Sequence, residues 1–192
     1  MLRKLANYLV FQAGWLTCVW SAGAGLAWLG PLAVAGAVML HLVQARTPRL
    51  ECTLLALCAA VGLIFDSLLL SSAWVSYPDG SWIPGLAPYW IVALWVLFAT
   101  TLNLSMAWLR GRPWTAALLG AIGGPLSYLA GENLGAVSLE QPAAALTAMA
   151  LGWGLLMPIL SWLASRLDGF AAPTAPEYIQ SDWRAKGLNT HA

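Results

Sequence analysis

The sequence predicts an all-α polytopic membrane protein, a bundle of six transmembrane helices with both termini on the cytoplasmic side. Three observations predict it. Of 192 residues, 60% are hydrophobic and only 9% are charged, against roughly 25% charged in soluble domains. The apolar residues gather into runs suited to a bilayer core about 30 Å thick, which needs roughly 20 residues of helix. The nine Lys and Arg all fall on one side of the map that those runs make. Such a composition excludes an ordinary soluble enzyme, a nucleic-acid binder built on a basic patch, and a disordered chain.

The first helix is read over 5–23. Arg3 and Lys4 give it the positive start of a secretory leader. Asn7 and Gln12 interrupt the apolar run, however, and further spans follow, so it is expected to stay uncleaved. Ser21-Ala22-Gly23-Ala24-Gly25 and Gly30-Pro31 mark a tight turn into a second helix over 30–45. The basic turn Arg46-Thr47-Pro48-Arg49 leads to a third over 52–74. A loop running from Tyr77 to Ser81 separates this from a fourth over 87–109. Arg110-Gly111-Arg112-Pro113 turns into a fifth over 114–131, and a loop from Glu132 to Pro142 precedes a sixth over 143–166. Residues 1–166 are thus the transmembrane domain. Residues 167–192, with Pro173, Pro176 and several charges, read as a flexible cytoplasmic tail.

Orientation follows from charge. With the N-terminus inside, the cytoplasmic segments hold Arg3, Lys4, Arg46, Arg49, Arg110, Arg112, Arg166, Arg184 and Lys186, and the outer loops hold Asp79, Glu132 and Glu140. Lys and Arg near span ends resist translocation, so this partition sets the topology. Trp28, Trp74, Trp82 and Trp90 mark the outer interface and Trp108, Trp114 and Trp162 the inner one, the depth that an amphipathic indole prefers. Trp15, Trp20, Trp95 and Trp153 lie deeper and read as packing. Cys18, Cys52 and Cys58 read as buried, inert thiols, since they form no C-x-x-C pair and no zinc spacing.

Small residues at four-residue spacing predict close helix approach. Ala116, Gly120 and Gly124 make such a stripe on the fifth helix, and Ala144, Ala148 and Gly152 make one on the sixth. These helices are expected to pack on each other or across a homodimer. Gly123-Gly124-Pro125 is expected to loosen the fifth helix and open space beside it.

Polar residues inside spans are the candidate site. Asp66 lies about 21 Å up the third span at 1.5 Å per residue. With no Lys or Arg at that depth, it is expected to be protonated and bonded to neighbours such as Ser67, Ser127 or Tyr128. Asn7, Gln12, His41, Gln44, Thr100, Thr101, Asn103 and Ser105 gather nearer the cytoplasmic face, where they could line a polar pocket. One intramembrane His makes no metal site, and no cofactor is expected. H-E-x-x-H, G-x-S-x-G, P-loop and G-x-G-x-x-G signatures are absent. Asp66 and His41 sit at depths more than about 10 Å apart, which weighs against acid–base catalysis by that pair.

Three strings also carry a resemblance. Asn7-Tyr8-Leu9-Val10-Phe11-Gln12 with Trp15 is the first. The second is Leu94-Trp95-Val96-Leu97-Phe98-Ala99-Thr100-Thr101-Leu102-Asn103 with Ser105. The third is Gly120-Ala121-Ile122-Gly123-Gly124-Pro125-Leu126-Ser127-Tyr128 with Ala130-Gly131. Together they resemble the bacterial family catalogued as domain of unknown function 2878, from about Asn7 to Ser165. Leu104 departs from the family pattern, which carries a His there. The resemblance implies a small multi-pass protein of the bacterial inner membrane, with no assigned activity.

The expected function is a non-catalytic or accessory protein that binds a lipid or small apolar molecule in a polar-lined intramembrane pocket. Asp66, Asn103, Thr100, Thr101, His41, Gln12 and Asn7 are its candidate ligand-binding residues. The alternatives are a small proton-coupled transporter using Asp66, or a structural partner of another membrane protein. Membrane lipids are the expected surroundings, and nucleic acid is not an expected partner.

Overall fold

The computed structural model describes residues 1–171. Six α-helices carry the chain: α1 Leu2–Gly23, α2 Leu29–Val43, α3 Pro48–Ser71, α4 Tyr89–Leu102, α5 Pro113–Asn133 and α6 Pro142–Arg166. Three of them begin on a proline, Pro48, Pro113 and Pro142. Proline suits a first helical position because its fixed φ is already helical and its missing N–H has no partner to lose there. α3 and α6, at 24 and 25 residues, are each long and apolar enough to cross a membrane.

α4 is the centre. It packs against α1, α2, α3 and α6, and none of its residues is exposed. These four and α5 turn large apolar side chains outward, among them Leu16, Leu32, Ile64, Leu118 and Leu155. Cys52 belongs to this outer surface and is exposed, contrary to the buried thiol expected, while Cys18 and Cys58 are buried.

The fourth helix ends seven residues earlier than the hydropathy reading places it. Polar side chains stop it. The Thr100 and Thr101 hydroxyls each donate back to a carbonyl three residues earlier, at 2.7 Å. Asn7 of α1 then clamps the end: its Nδ2 donates to Thr100 O at 3.1 Å, and its Oδ1 accepts from Ser105 Oγ at 2.7 Å. The chain leaves through turns and a single 3₁₀ turn at Ala107–Leu109.

Outside the helices, Val75–Ser76 (β1) pairs antiparallel with Ser138–Leu139 (β2), in the register Val75 with Leu139 and Ser76 with Ser138. Two residues per strand carry too little hydrophobic alternation to be read from sequence. This small sheet ties the loop after α3 to the loop after α5, and its end of the bundle is called the outer end, the opposite one the inner end.

α5 and α6 pack on each other, with the α5 stripe in the contact and the α6 stripe turned away from it. On α5 the stripe is used as expected. Ala116, Gly120 and Gly124 are buried, and a Cβ on Gly124 would strike the Trp153 ring. On α6 the face toward α5 is made by Trp153, Gly154 and Met157. Gly152 instead receives Phe65 of α3, and Ala144 and Ala148 are half-buried on that neighbouring face. The correction has a steric reason: Gly120 takes the Trp153 backbone and Met157, and Gly124 takes the Trp153 ring, so small residues on α5 alone make the room.

Candidate functional site

Two polar clusters lie inside the bundle, at opposite ends. The outer one centres on Asp66, which is fully buried. Gly62 stands one turn before it on α3, and its missing side chain lets the Trp95 ring lie against the helix backbone. From there Trp95 Nε1 donates to Asp66 Oδ2 at 2.7 Å. Tyr77 Oη, from the loop after β1, donates to Oδ1 at 2.8 Å, and Tyr128 Oη of α5 donates to the same oxygen. An indole has a donor and no acceptor, so Oδ2 necessarily accepts. Burial pushes the Tyr77 hydroxyl well above its ordinary titration range, which keeps it a donor.

Beside this cluster lies a cavity of about 430 Å³, within the size range of small-molecule sites. Its long walls are α1, from Phe11 to Val19, and α5, from Leu119 to Gly131; Trp90, Trp95 and Phe98 of α4 and Trp153 and Met157 of α6 form its back. It exists because α1 and α5 meet at their outer ends. There a Cβ on Gly23 would strike the Leu134 carbonyl, and Gly131 faces Val19. Further in, small residues leave a groove, and at Gly123 an added Cβ would meet nothing. Trp95 stacks on Trp153 with centroids 4.5 Å apart and planes 12° from parallel.

The inner cluster centres on Glu51, also fully buried. Its Oε2 lies 2.8 Å from His41 Nε2, and its Oε1 accepts from Asn103 Nδ2 and from the Gly169 N–H, each at 2.7 Å. Arg110 donates to Asn103 Oδ1 and pairs with Asp168 at 2.7 Å. The carbonyl of Gly169 accepts from the N–H groups of Arg46 and Thr47 at 2.8 and 3.0 Å. Phe170 packs edge-on to His41 at 5.0 Å, with the Arg3 guanidinium 4.4 Å from its ring. Residues 167–171, the start of the expected tail, are thereby fastened over the inner end. The rest of that tail, 172–192, lies outside the described residues.

The seven candidate ligand-binding residues are therefore divided. Gln12 lines the cavity. Asp66 stands behind it, linked through Tyr77, Tyr128 and Trp95. His41 and Asn103 belong to the inner cluster with Glu51, and Thr100, Thr101 and Asn7 end α4. Of the partners expected for Asp66, Tyr128 is one. Ser67 instead accepts from the Ala87 N–H at 2.9 Å, and Ser127 donates to the Gly124 carbonyl at 2.7 Å. Trp95, read as packing alone, is a partner as well.

A family model described as "Protein of unknown function (DUF2878)" matches residues 4–159. No curated protein and no solved structure matches the chain.

Proposed function

Since the chain belongs to the DUF2878 family, whose description assigns no activity, we propose a function from the cavity itself: a non-catalytic membrane protein that holds a lipid or other small apolar molecule in the groove between α1 and α5. The observation that carries this reading is the groove of about 430 Å³, walled by two helices and backed by aromatic rings. An apolar chain entering it exchanges lipid neighbours for fixed aromatic surfaces, and shape rather than hydrophobicity supplies the preference.

The setting is a bacterial inner membrane, crossed six times with both termini inside. Apolar side chains face outward on every helix except the enclosed α4. α2 and α4, at 15 and 14 residues, are short for a full crossing. Non-helical backbone at membrane depth is tolerated where protein surrounds it, and the turns beyond Leu102 are held by Asn7 in that way. The charge partition gives the direction.

Gly123 provides the test, because it lines the groove and a Cβ there meets no other atom. Native mass spectrometry of the detergent-purified chain is expected to show a co-purified lipid, which Gly123→Leu removes while the thermal midpoint holds or rises. A lipid-free wild type, or a lipid retained in full by the filled variant, contradicts the reading.

Asp66 supports a second reading, a proton-coupled transporter, because two groove-lining tyrosines bond directly to its carboxyl group. That reading requires Asp66→Asn to abolish flux driven by a pH gradient in liposomes. A structural partnership through the α5 stripe has less support, since α6 occupies that stripe.

A further inference from the structure

We infer that residues 168–171 form a lid, closed in this structure, which lifts from the inner end of the bundle and admits water to the buried pair Glu51 and His41. The lid is independent of the groove, which neither it nor the pair lines.

The segment is held by polar contacts. Asp168 pairs with Arg110, and the Gly169 N–H donates to Glu51 Oε1. The Gly169 carbonyl accepts from the Arg46 and Thr47 N–H groups, and Phe170 packs edge-on to His41. Asp168 Oδ1 also accepts from the N–H groups of Phe170 and Ala171, at 2.9 and 3.1 Å. Those last two bonds lie within the segment, so it leaves as one turn with its own bonds intact. Leu167 is the hinge. Its N–H bonds the Leu163 carbonyl of α6 at 3.1 Å, its side chain packs on the core, and its carbonyl accepts from Asn103 Nδ2 at 3.1 Å.

The closed arrangement carries a cost of its own. Ionisable groups taken out of water are costly even when paired, and Glu51 and His41 are both buried. The pairing is also incomplete. His41 Nδ1 is buried with no hydrogen-bond partner, and so is Nε of Arg110, the side chain that grips Asp168. Buried polar atoms left unmet destabilise a fold. Opening loses the bonds of Asp168 and Gly169 and gains hydration for Glu51, His41 and Arg110. The two sides offset each other, as a lid requires. An apolar plug would seal the same end without that opposition.

The experiment uses the full chain in lipid nanodiscs. Amide hydrogen exchange is followed at Gly169, Arg46 and Thr47, whose N–H groups are freed together when the lid lifts. They are expected to exchange at one common rate, at least about tenfold faster than Leu97–Thr101 inside α4. In parallel, His41 is acylated with diethyl pyrocarbonate and the product is read by peptide mass spectrometry. Gly169→Ala sets a Cβ 2.6 Å from the Thr47 carbonyl oxygen and 2.7 Å from Glu51 Cγ, so the closed lid no longer fits. This variant is expected to raise exchange at Arg46 and Thr47, and acylation of His41, by about tenfold, the scale of one lost hydrogen bond to a charged group. Exchange within α4 stays as it was. Asp168→Asn keeps the shape of the side chain and weakens its hold on Arg110, and it is expected to shift both readings the same way, several-fold.

Exchange of the three amides only at the α4 rate makes the segment a fixed plug and overturns the lid. Acylation of His41 that is unchanged in both variants overturns it as well. Should Gly169→Ala fail to fold, the wild-type exchange rates and Asp168→Asn decide.

Discussion

Glu51 ties three distant parts of the chain to α3. Its carboxyl group joins His41 of α2, Asn103 at the end of α4 and the Gly169 backbone beyond α6. Removing it leaves the His41 imidazole and the Gly169 N–H buried without this partner, and leaves the Asn103 amide with the Leu167 carbonyl alone. Glu51→Ala is expected to lower stability by about 3–5 kcal/mol, the scale of a broken buried pair, as measured by chemical unfolding in detergent. A loss below about 1 kcal/mol would mean that the inner cluster rearranges freely. Glu51 is hard to see in the sequence because it stands two residues from Arg49, at a span end where charges are ordinarily solvated. Asp66 is legible because no other acid lies in mid-span. Its partners were only partly so: Tyr128 is a polar residue at matching depth, whereas Tyr77 belongs to a loop whose fold back onto α3 leaves no mark in hydropathy.

Helix contacts depend on where a Cβ is missing. Gly123 and Gly124 are neighbours with the same helix propensity and opposite surroundings. A Cβ on Gly124 would strike the Trp153 ring, and one on Gly123 would meet open space. Gly124→Ala is therefore expected to destabilise by about 1–3 kcal/mol through overpacking. Gly123→Ala is expected to be neutral or to stabilise by up to about 1 kcal/mol through helix propensity. Thermal unfolding of the two variants side by side checks this, and equal effects would contradict the packing described. The small-residue spacing on α5 predicted a close approach, and it occurs. Spacing says nothing of what fills the gap, so the reading missed that α6 answers with Trp153 and turns Gly152 toward Phe65. The early end of α4 was hidden for a related reason: Leu104, Met106 and Trp108 continue the apolar run, while long-range bonds from Asn7 end the helix.

At the scale of the molecule, a groove remains because α1 and α5 meet at Gly23 and Leu134 and leave space between them further in. Helix number and approximate helix limits follow from hydropathy. The groove does not, since it depends on which helices fail to touch. The most direct measurement is photo-crosslinking with a lipid that carries a diazirine on its chain, followed by peptide mapping of the purified protein in bilayers. The account predicts saturable labelling concentrated on Phe11–Val19 of α1 and Leu119–Gly131 of α5, and its loss in Gly123→Leu. Labelling spread over the outward residues of α2, α3 and α6, unchanged in that variant, would contradict it.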